Sequence, residues 1–378
     1  MGGHGLQGGG VAGKRGLITP DSLARRVRAG LALLLLAAIA AACRGPDELR
    51  EYEFGGRVMG TSFSVKVVSG PLGEVERARL RRGIEAELDA VNQRMSTYVE
   101  TSELAHLNRH DGPDPLPVSA ELLTVLVAAR AAGAVTRGAF DITVAPLVNA
   151  WGFGPDGRPP SAPAPAPADL ERLGARTGWN LIEIDDQKSS VRKLAPGVTC
   201  DLSGIAKGYG VDRVADWLDD VGYINHVVEV GGEIRAGGGN RSGRPWRIAV
   251  ERPLGGVRAF QRVVPLRDLA MATSGDYRNY YEQDGVRYSH IIDPRSRRPI
   301  RHRLASVSVV EQFCMQADAL ATGLLVLGEE EGYAVAREND LAVLFLVRQP
   351  DGSFAEKATP KFQSLLGATG GEFLGDEP

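Results

Sequence analysis

Apolar and polar residues alternate along this chain with two different periods, which predict helices and strands respectively. From Leu80 to Met95, apolar side chains recur every three or four positions with arginine and glutamate between them, which predicts an amphipathic helix. A second apolar stripe follows Ser119, a good N-cap residue, and we expect that helix to end near Gly138. Residues 63–67 (FSVKV) instead alternate with a period of two, as a half-buried strand does.

The second half of the chain is richer in strand patterns. HVVEVGGEIRAGG, WRIAVERP and VRAFQRVVPL favour strands, and YYEQDGVRYSHII predicts a hairpin whose turn takes its positive φ from Asp284 and Gly285. The strand ASVSVV, the helix QADALATGLLVLG and the strand LAVLFLV follow. Because strands and helices are mixed without a regular βαβ repeat, we predict an α+β fold with mixed or antiparallel sheets and packed helices.

Composition and charge narrow the class of protein. The chain has 378 residues, 43% of them hydrophobic, and a formal net charge of −3. A chain of this length and apolar content can bury a large core, and its balanced charge gives no reason to expect nucleic acid as a partner. We therefore expect a globular catalytic or binding protein.

The N-terminus has the pattern of an export signal. Lysines and arginines precede an apolar run that ends at Cys43, and this run is shorter than the roughly 20 residues needed to span a bilayer. Three alanines directly before Cys43 resemble a bacterial lipobox. We predict that residues 1–43 are a signal peptide and that lipidated Cys43 anchors the protein to a membrane. A plain cleavable signal and an apolar helix of the mature fold are the alternatives.

The rest of the chain is predicted to be one domain with short extensions. Cys200 and Cys314 would be the only cysteines besides Cys43, which excludes a disulfide framework and favours two buried thiols. The predicted parts are a tether at 44–56, a single domain at 57–366, an exposed proline-rich insertion within it at 155–168, and a flexible tail at 367–378.

The segment DLSGIAKGYG, residues 201–210, has the features of an anion-binding helix start. Ser203 can cap the helix, Gly204 leaves room for a ligand near the free amides, and Lys207 adds a positive charge one turn in. Asp201 could orient a ribose, a base or a metal-bound water. The segment therefore predicts a phosphate site, although an ordinary capped helix with Lys207 in solvent has the same pattern.

The motif ADALATG, residues 317–323, places two oxygen-bearing side chains on one helical face. Asp318 and Thr322 are four positions apart, so their Cβ atoms are expected roughly 5 to 6 Å apart. Two hard oxygen donors at that spacing suit Mg²⁺, which keeps coordination positions for water and phosphate. In the alternative reading, Thr322 bonds to its own helix carbonyl and Asp318 caps the helix.

Other segments carry weaker candidates. His290 follows the predicted hairpin and is a candidate proton acceptor for a hydroxyl nucleophile, with a structural histidine as the alternative. Phe140 and Asp141 follow a helix end, where they could line a ring pocket or belong to the core. His106 and His110 have the helical spacing of zinc ligands, but a helix break follows at once and no third ligand is in view.

Seven motifs occur in one order that resembles a known family. In chain order they are VMGTSFSV, MSTY, GAFDITVAPL, DLSGIAKGYG, SGDYRNYY, SHIIDP and ADALATG. Together they resemble the FAD:protein FMN transferases, the ApbE-type flavin transferases, over residues 57–328. Each motif alone is weak, but seven in order are specific, and the resemblance implies the ApbE-like fold.

The resemblance implies a magnesium-dependent enzyme of the bacterial cell envelope, facing the periplasm or the outer side of the inner membrane. Its substrate would be FAD, whose FMN half passes to a threonine or serine hydroxyl of an acceptor protein while AMP is released. Metal ligands are implied at Asp318, Thr322 and the backbone carbonyl of Gly204, with catalytic roles for His290 as base and Lys207 as charge acceptor. The implied FAD contacts are Met59, Tyr98, Ala139, Phe140, Asp141, Asp201, Lys207 and Ile292.

Some positions leave alternatives open. Asp276 could replace His290 as the base, and Glu233 stands in a segment that departs from the family pattern and is assigned no role. Arg297 replaces a turn glycine of the family within the arginine-rich segment 295–303, which we interpret as a solvated loop or a contact for a partner or anionic lipid. The alternative functions are a metal-dependent FAD pyrophosphatase and a non-catalytic FAD-binding lipoprotein.

Overall fold

The computed structural model describes residues 1–2, 48–157, 159, 163–253, 259–277 and 279–369. Cys43 and the rest of the predicted signal peptide beyond residue 2 lie outside the described residues, as does the end of the predicted tail. Residues from Arg50 onward form one unit of the chain. Within the described part, no helix combines the length and the apolar character needed to cross a membrane.

Seventeen strands and eight helices make up the described part of this unit. In chain order the strands are β1 (Arg50–Val58), β2 (Thr61–Ser69), β3 (Leu116–Pro117), β4 (Ile182–Asp185), β5 (Ser190–Lys193), β6 (His226–Val230), β7 (Glu233–Gly237), β8 (Trp246–Glu251), β9 (Phe260–Leu266), β10 (Leu269–Gly275), β11 (Tyr280–Gln283), β12 (Val286–Ser289), β13 (Ile292–Asp293), β14 (Arg298–Pro299), β15 (Leu304–Glu311), β16 (Ala342–Arg348) and β17 (Phe354–Ala358). The helices are α1 (Glu74–Met95), α2 (Glu103–Arg109), α3 (Ala120–Val135), α4 (Ala145–Ala150), α5 (Pro167–Gly174), α6 (Ala206–Asp220), α7 (Cys314–Glu338) and α8 (Pro360–Thr369).

The centre of the fold is an eight-stranded sheet with the order β1-β2-β6-β7-β10-β15-β16-β17. All of its neighbouring strands are antiparallel. Alternate residues of a strand enter different cores, as the period of two requires. In β16, for example, Val343 and Phe345 pack with α7, whereas Leu344 and Leu346 pack with the β8–β9 hairpin and α8. The predicted α+β class is confirmed, with antiparallel rather than mixed sheets in the described part.

Helix α1 buries the apolar stripe that was predicted from the sequence. In α1 the buried residues are Leu80, Ile84, Leu88, Val91 and Met95, the predicted stripe. Three of them share a core with buried residues of α6 and of β2. The cavity described below lies at this helix-bearing side, where α6 and α7 meet.

The boundaries of several elements differ from the predictions. Strand β1 begins at Arg50 and pairs with β2 along its whole length, so residues 50–56 of the predicted tether belong to the sheet. Helix α3 is capped by Ser119 as expected but ends at Val135. Helix α5 begins inside the predicted insertion, at Pro167. Helix α8 extends to Thr369, past the expected end of the domain.

The predicted hairpin at Asp284 and Gly285 is confirmed. These two residues have φ values of 52° and 72° and connect β11 to β12. A two-residue turn with both φ values positive matches the right-handed twist of the paired strands. His290 follows directly after β12, so the hairpin determines where its imidazole lies.

Candidate active site

A cavity of about 710 Å³ is lined by most of the residues predicted as site residues. Met59 is the exception: it is partly buried and packs against a core cluster that includes Tyr209 of α6. Tyr98 lies at the rim and is 70% exposed. The predicted residues in the lining are Tyr98, Ala139, Phe140, Asp141, Asp201, Gly204, Lys207, His290, Ile292, Asp318 and Thr322.

The beginning of α6 and the first turns of α7 meet at the cavity wall, although they are far apart in the chain. The backbone N–H of Gly208 donates to Asp318 Oδ2 at 3.0 Å, across 110 positions of sequence. Lys207 Nζ lies 3.6 Å from Asp318 Oδ1. Asp318 is only 2% exposed. The anion at the start of α6 is thus a carboxylate of the protein itself, which the positive end of the helix dipole favours.

Glu233, which was assigned no role from the sequence, forms a charged cluster with Lys207 and Asp318. Its Oε1 lies 3.1 Å from Lys207 Nζ, and its Oε2 is buried with no hydrogen-bond partner among the described residues. Gly231 and Gly232, both with positive φ, form the two-residue turn between β6 and β7 that brings Glu233 here. A Gly-Gly pair between two strand patterns is a hairpin signal in the sequence.

The electrostatics of this cluster follow from burial and charge pairing. Burial alone would lower the pKa of the Lys207 ammonium, but the carboxylates of Asp318 and Glu233 outweigh it and hold the pKa above its ordinary value. Burial raises the pKa of Glu233 to about 8, with Lys207 acting in the opposite direction. Burial likewise raises the pKa of Asp318, against Lys207 and the Gly208 amide. Lys207 therefore stays charged, held between two buried acids.

Ser203 does not cap α6, contrary to the sequence expectation. Helix α6 begins at Ala206, with Ile205 at the N-cap position and no side-chain cap. The carboxylate of Asp201 instead accepts from the Ser203 backbone N–H at 2.9 Å and from the Ser203 hydroxyl. Asp201 thus organises the turn that precedes the helix.

Thr322 and Gly204 lie next to each other. A Cβ added to Gly204 would lie 3.3 Å from Thr322 Oγ1, which is a tight contact, so the two residues approach closely. The Thr322 hydroxyl is hydrogen-bonded to Ser274 Oγ at 2.9 Å, and the Asp318 carboxylate to the Gly208 amide. In these two contacts, Thr322 binds a serine rather than a carbonyl of its own helix, and Asp318 binds an amide of α6 rather than capping its own helix.

The donor set at this place fits a hard cation. The oxygen donors are the buried carboxylate of Asp318, the hydroxyl of Thr322 and the backbone carbonyl of Gly204, all of which belong to residues of the cavity lining. Glu233, whose Oε2 has no hydrogen-bond partner among the described residues, lines the same cavity. Oxygen donors of this kind suit Mg²⁺, whereas zinc prefers nitrogen and sulfur ligands. Among the described residues, no group of three or more histidine, cysteine, aspartate or glutamate side chains is placed to hold a metal.

The cavity lining also contains apolar residues. Ala139, Phe140 and Ile292 are buried in its wall. Asp141 accepts from the Thr143 backbone N–H at 2.8 Å and from its hydroxyl at 2.7 Å. Burial raises the pKa of Asp141, and the Thr143 hydrogen bonds oppose that change. A flat ring could lie against the apolar residues with a polar edge toward Asp141.

His290 stands at the end of a row of aromatic side chains. Its Nδ1 lies 2.9 Å from the Asn279 carbonyl oxygen. Because a carbonyl only accepts, Nδ1 carries the proton and Nε2 is left as the acceptor. Burial lowers the pKa of His290, and the Asn279 hydrogen bond opposes that change. The ring of Phe153 meets the imidazole edge-on, with 6.4 Å between centroids.

The aromatic row continues from Phe153 to the arginine-rich segment. Phe153 stacks on Tyr281, Tyr281 on Tyr288 and Tyr288 on Trp151, with centroid separations of 5.3, 5.2 and 5.6 Å. Trp151 Nε1 donates to the carbonyl of Arg297 at 2.9 Å. Arg297 has a φ of 63°, the left-handed conformation that favours glycine. It therefore keeps a glycine-like turn with an arginine side chain.

The remaining candidates lie elsewhere. Asp276, the alternative base, is buried in an ion pair with Arg348, whose Nη1 donates to its Oδ2 at 2.9 Å, and it does not line the cavity. His110 Nε2 is 3.0 Å from the Asp114 carbonyl, a local turn contact. Cys200 and Cys314 are buried free thiols, as predicted.

Comparison with known proteins identifies the family. The profile described as the ApbE family matches residues 59–345 of this chain. The chain belongs to the ApbE family. The prediction made from the seven motifs is thereby confirmed, and the match includes every residue of the charged cluster and the ring pocket.

Relatives and solved structures agree with this membership over most of the chain. A FAD:protein FMN transferase of Vibrio cholerae is 47% identical over 88% of this chain and 96% of its own length. The protein of that name from Haemophilus influenzae is 40% identical over 90% of this chain and 98% of its own. The structure of the flavin transferase ApbE from Vibrio cholerae superposes with a TM-score of 0.76 at 44% identity, covering 84% of this chain and 99% of that one. The apo structure of the Pseudomonas stutzeri flavinyl transferase ApbE gives 0.76 at 38% identity, covering 84% and 98%.

Proposed function

We propose that this ApbE-family enzyme transfers the FMN part of FAD to a threonine or serine hydroxyl of an acceptor protein, requires Mg²⁺ and releases AMP. The observation that carries the proposal is the meeting of Lys207, Glu233 and Asp318 with the turn containing Gly204 in one cavity. The names of the Vibrio and Haemophilus relatives support the same reaction class.

Asp318, the Thr322 hydroxyl and the Gly204 carbonyl would hold Mg²⁺. The bound cation would neutralise charge on the FAD diphosphate. Lys207 keeps its positive charge beside Asp318, so it remains available as the charge on the diphosphate increases. The apolar residues Phe140 and Ile292 exclude water from the ring pocket. These residues bind and orient the substrate, which is most of what phosphoryl transfer asks of a protein.

In the proposed reaction, His290 takes the proton of the acceptor hydroxyl. The acceptor oxygen forms a bond to the phosphorus on the FMN side, the bond from that phosphorus to the bridging oxygen breaks, and AMP leaves with that oxygen. The hydroxyl proton moves to Nε2 of His290, which the Asn279 carbonyl keeps unprotonated by binding Nδ1–H. Asp276 is less suited to this role because Arg348 already neutralises it.

The test is to incubate the purified chain with FAD, Mg²⁺ and an envelope extract, and to separate the products under denaturing conditions. We expect a fluorescent protein band whose flavin survives denaturation, and AMP in the supernatant. Free FMN and AMP without such a band would indicate a pyrophosphatase. FAD that is retained without AMP release would indicate a binding protein.

We further propose that the enzyme is a lipoprotein of the bacterial envelope, anchored through Cys43 and facing the periplasm or the outer side of the inner membrane. The support is the basic and apolar pattern before Cys43 and the three alanines that precede it. Expression of the full chain and of Cys43→Ala in bacteria fed a labelled fatty acid tests this. Label in the first protein and none in the second is expected, and label in both would contradict the assignment.

A further inference from the structure

Helix α7, which carries Asp318, has no cap of its own. Phe313 occupies the N-cap position and supplies no side-chain hydrogen bond. The cap comes from α6: Asp212 Oδ1 accepts from the Cys314 N–H at 2.9 Å and Asp212 Oδ2 from the Met315 N–H at 2.9 Å. One carboxylate thus satisfies two of the first-turn amides, which otherwise have no partner within a helix.

The two helices bind each other in both directions. Asp212 of α6 accepts from the first turn of α7, while Gly208 of α6 donates its backbone N–H to Asp318 of α7 at 3.0 Å. Gly208 and Asp212 are four residues apart, and so are Cys314 and Asp318. Four residues is about one helical turn, so the contacts lie one turn apart on each helix. A shift of α7 along α6 would break both.

The helices are also in close backbone contact at this place. A Cβ added to Gly208 would lie 2.4 Å from the Cys314 carbonyl oxygen. Asp212 is 5% exposed and its carboxylate is paired with Arg235 at 3.1 Å. The Arg235 guanidinium also lies over the ring of Phe313, 5.4 Å from its centroid. The cap is therefore a fixed group rather than a mobile surface side chain.

We propose that Asp212 is a positioning residue for the cation site: it fixes the register of α7 against α6 and thereby the distance of Asp318 from Lys207 and the turn containing Gly204. This inference rests on the proposed function, since it assumes that Asp318 is a metal ligand. Asp212 does not line the cavity, so its effect reaches the cation only through the helix it caps.

The test is a calorimetric titration with Mg²⁺, in the absence of FAD, of the purified full chain and of its Asp212→Asn variant. An asparagine has one acceptor oxygen, so at most one of the two amides keeps a strong partner. We expect the Kd for Mg²⁺ to rise about tenfold, the lower end of what the loss of a supporting contact to a metal ligand costs. An unchanged Kd in the folded variant would overturn the inference.

Two control variants separate positioning from general damage. Asp216→Asn removes the other carboxylate paired with Arg235 and leaves both cap hydrogen bonds, so its Kd should match that of the unchanged chain. Val214→Ala truncates a fully buried side chain of the same helix by two methyl groups and should lower the Tm without changing the Kd for Mg²⁺. A Val214→Ala Kd that rises as much as that of Asp212→Asn would show that any destabilisation of α6 suffices, and would overturn the specific role.

A second variant keeps the test decisive if Asp212→Asn does not fold. The hydroxyl of Asp212→Ser can likewise accept from only one amide, so we again expect the Kd for Mg²⁺ to rise about tenfold. Equal affinity in Asp212→Ser and the unchanged chain would overturn the inference. If the unchanged chain itself binds no Mg²⁺, the proposed function fails first and the positioning role falls with it. Normal binding with no effect of Asp212 would refute the positioning role alone.

Discussion

The cavity has two walls that are built in different ways. At the first wall, formed by α6, α7 and the start of β7, buried carboxylates and an ammonium are held by backbone amides and by each other. At the second wall, His290 and Phe153 line the cavity. Behind them, the aromatic row continues into the small hairpin β11–β12. Most residues of that hairpin are exposed or only partly buried.

The difference indicates which part of the site is rigid. Charges removed from water need fixed partners, and the first wall supplies them from two core helices and the central sheet. The second wall relies on stacking between side chains, in which each aromatic pair contributes about 0.5–1.5 kcal/mol. We therefore expect changes at the first wall to abolish function or stability, and changes at the second wall to tune rate and pH dependence.

The largest effect is expected at the first wall, from Asp318→Asn. The amide oxygen can still accept from the Gly208 N–H, so the fold is kept while the negative charge is lost. We expect the rate of flavin transfer to fall by about 10³-fold, the upper end of the effect of removing one electrostatic contact at a reacting centre. The measurement is the rate of appearance of protein-bound fluorescence. A variant with more than a tenth of the original rate would contradict the assignment of Asp318.

The next effect is expected at the second wall, from His290→Ala. Loss of a general base slows transfer by about 10²-fold or more, while the Kd for FAD should stay within error because His290 is not part of the charged cluster. His106→Ala, at an exposed position on α2, is the matched control and should behave as the unchanged chain. If His290→Ala transfers flavin at the normal rate, His290 has no role in the proton transfer.

A third test measures how closely helices α6 and α7 pack, by comparing the free energy of unfolding of a variant at their contact with that of a variant at an open position. Gly208→Ala introduces a Cβ against the Cys314 carbonyl, and we expect the free energy of unfolding to fall by about 1–3 kcal/mol, as for other overpacked sites. Gly367→Ala is the control, since a Cβ there meets nothing within 4 Å and the position lies inside helix α8, where alanine is favoured over glycine. Denaturant unfolding measures both. Similar stability in the two variants would mean that the helix contact is looser than described.

The smallest effect concerns the pH dependence at the second wall. Burial lowers the pKa of His290, so the imidazole stays neutral and able to accept a proton below the pH at which an ordinary histidine, with a pKa of about 6.5, becomes protonated. The transfer rate should therefore fall on the acid side only below that value. In Phe153→Ala the imidazole is less buried, and the acid limb should move upward by a fraction of a pH unit. An acid limb of the pH–rate profile with its midpoint above about pH 6.5 in the unchanged enzyme would contradict this.

The first wall was partly predictable from sequence because its signals are local. The spacing of Asp318 and Thr322 places them on one helical face whatever the tertiary structure. The pairing of Asp318 with Gly208 was beyond local reasoning, since it depends on how two helices distant in sequence pack. The prediction that Ser203 caps α6 was wrong because Asp201, two residues earlier, already binds the Ser203 amide and hydroxyl.

Other differences have similarly specific causes. Strand β1 was assigned to a tether because an edge strand pairs on one side only and needs few apolar residues; of its nine residues only Phe54 is buried. Glu233 was left without a role because its segment departs from the family pattern. Its burial becomes evident only once the Gly-Gly turn places it beside Lys207.

The most direct test of the account measures AMP and protein-bound flavin in the same reaction. The purified chain, FAD and an acceptor preparation are combined with Mg²⁺ or with a chelator, and both products are quantified over time. If the enzyme transfers FMN to the acceptor, AMP and protein-bound flavin form in equal amounts with Mg²⁺, and neither product forms with the chelator. AMP without protein-bound flavin, or equal transfer in the chelator, would contradict it.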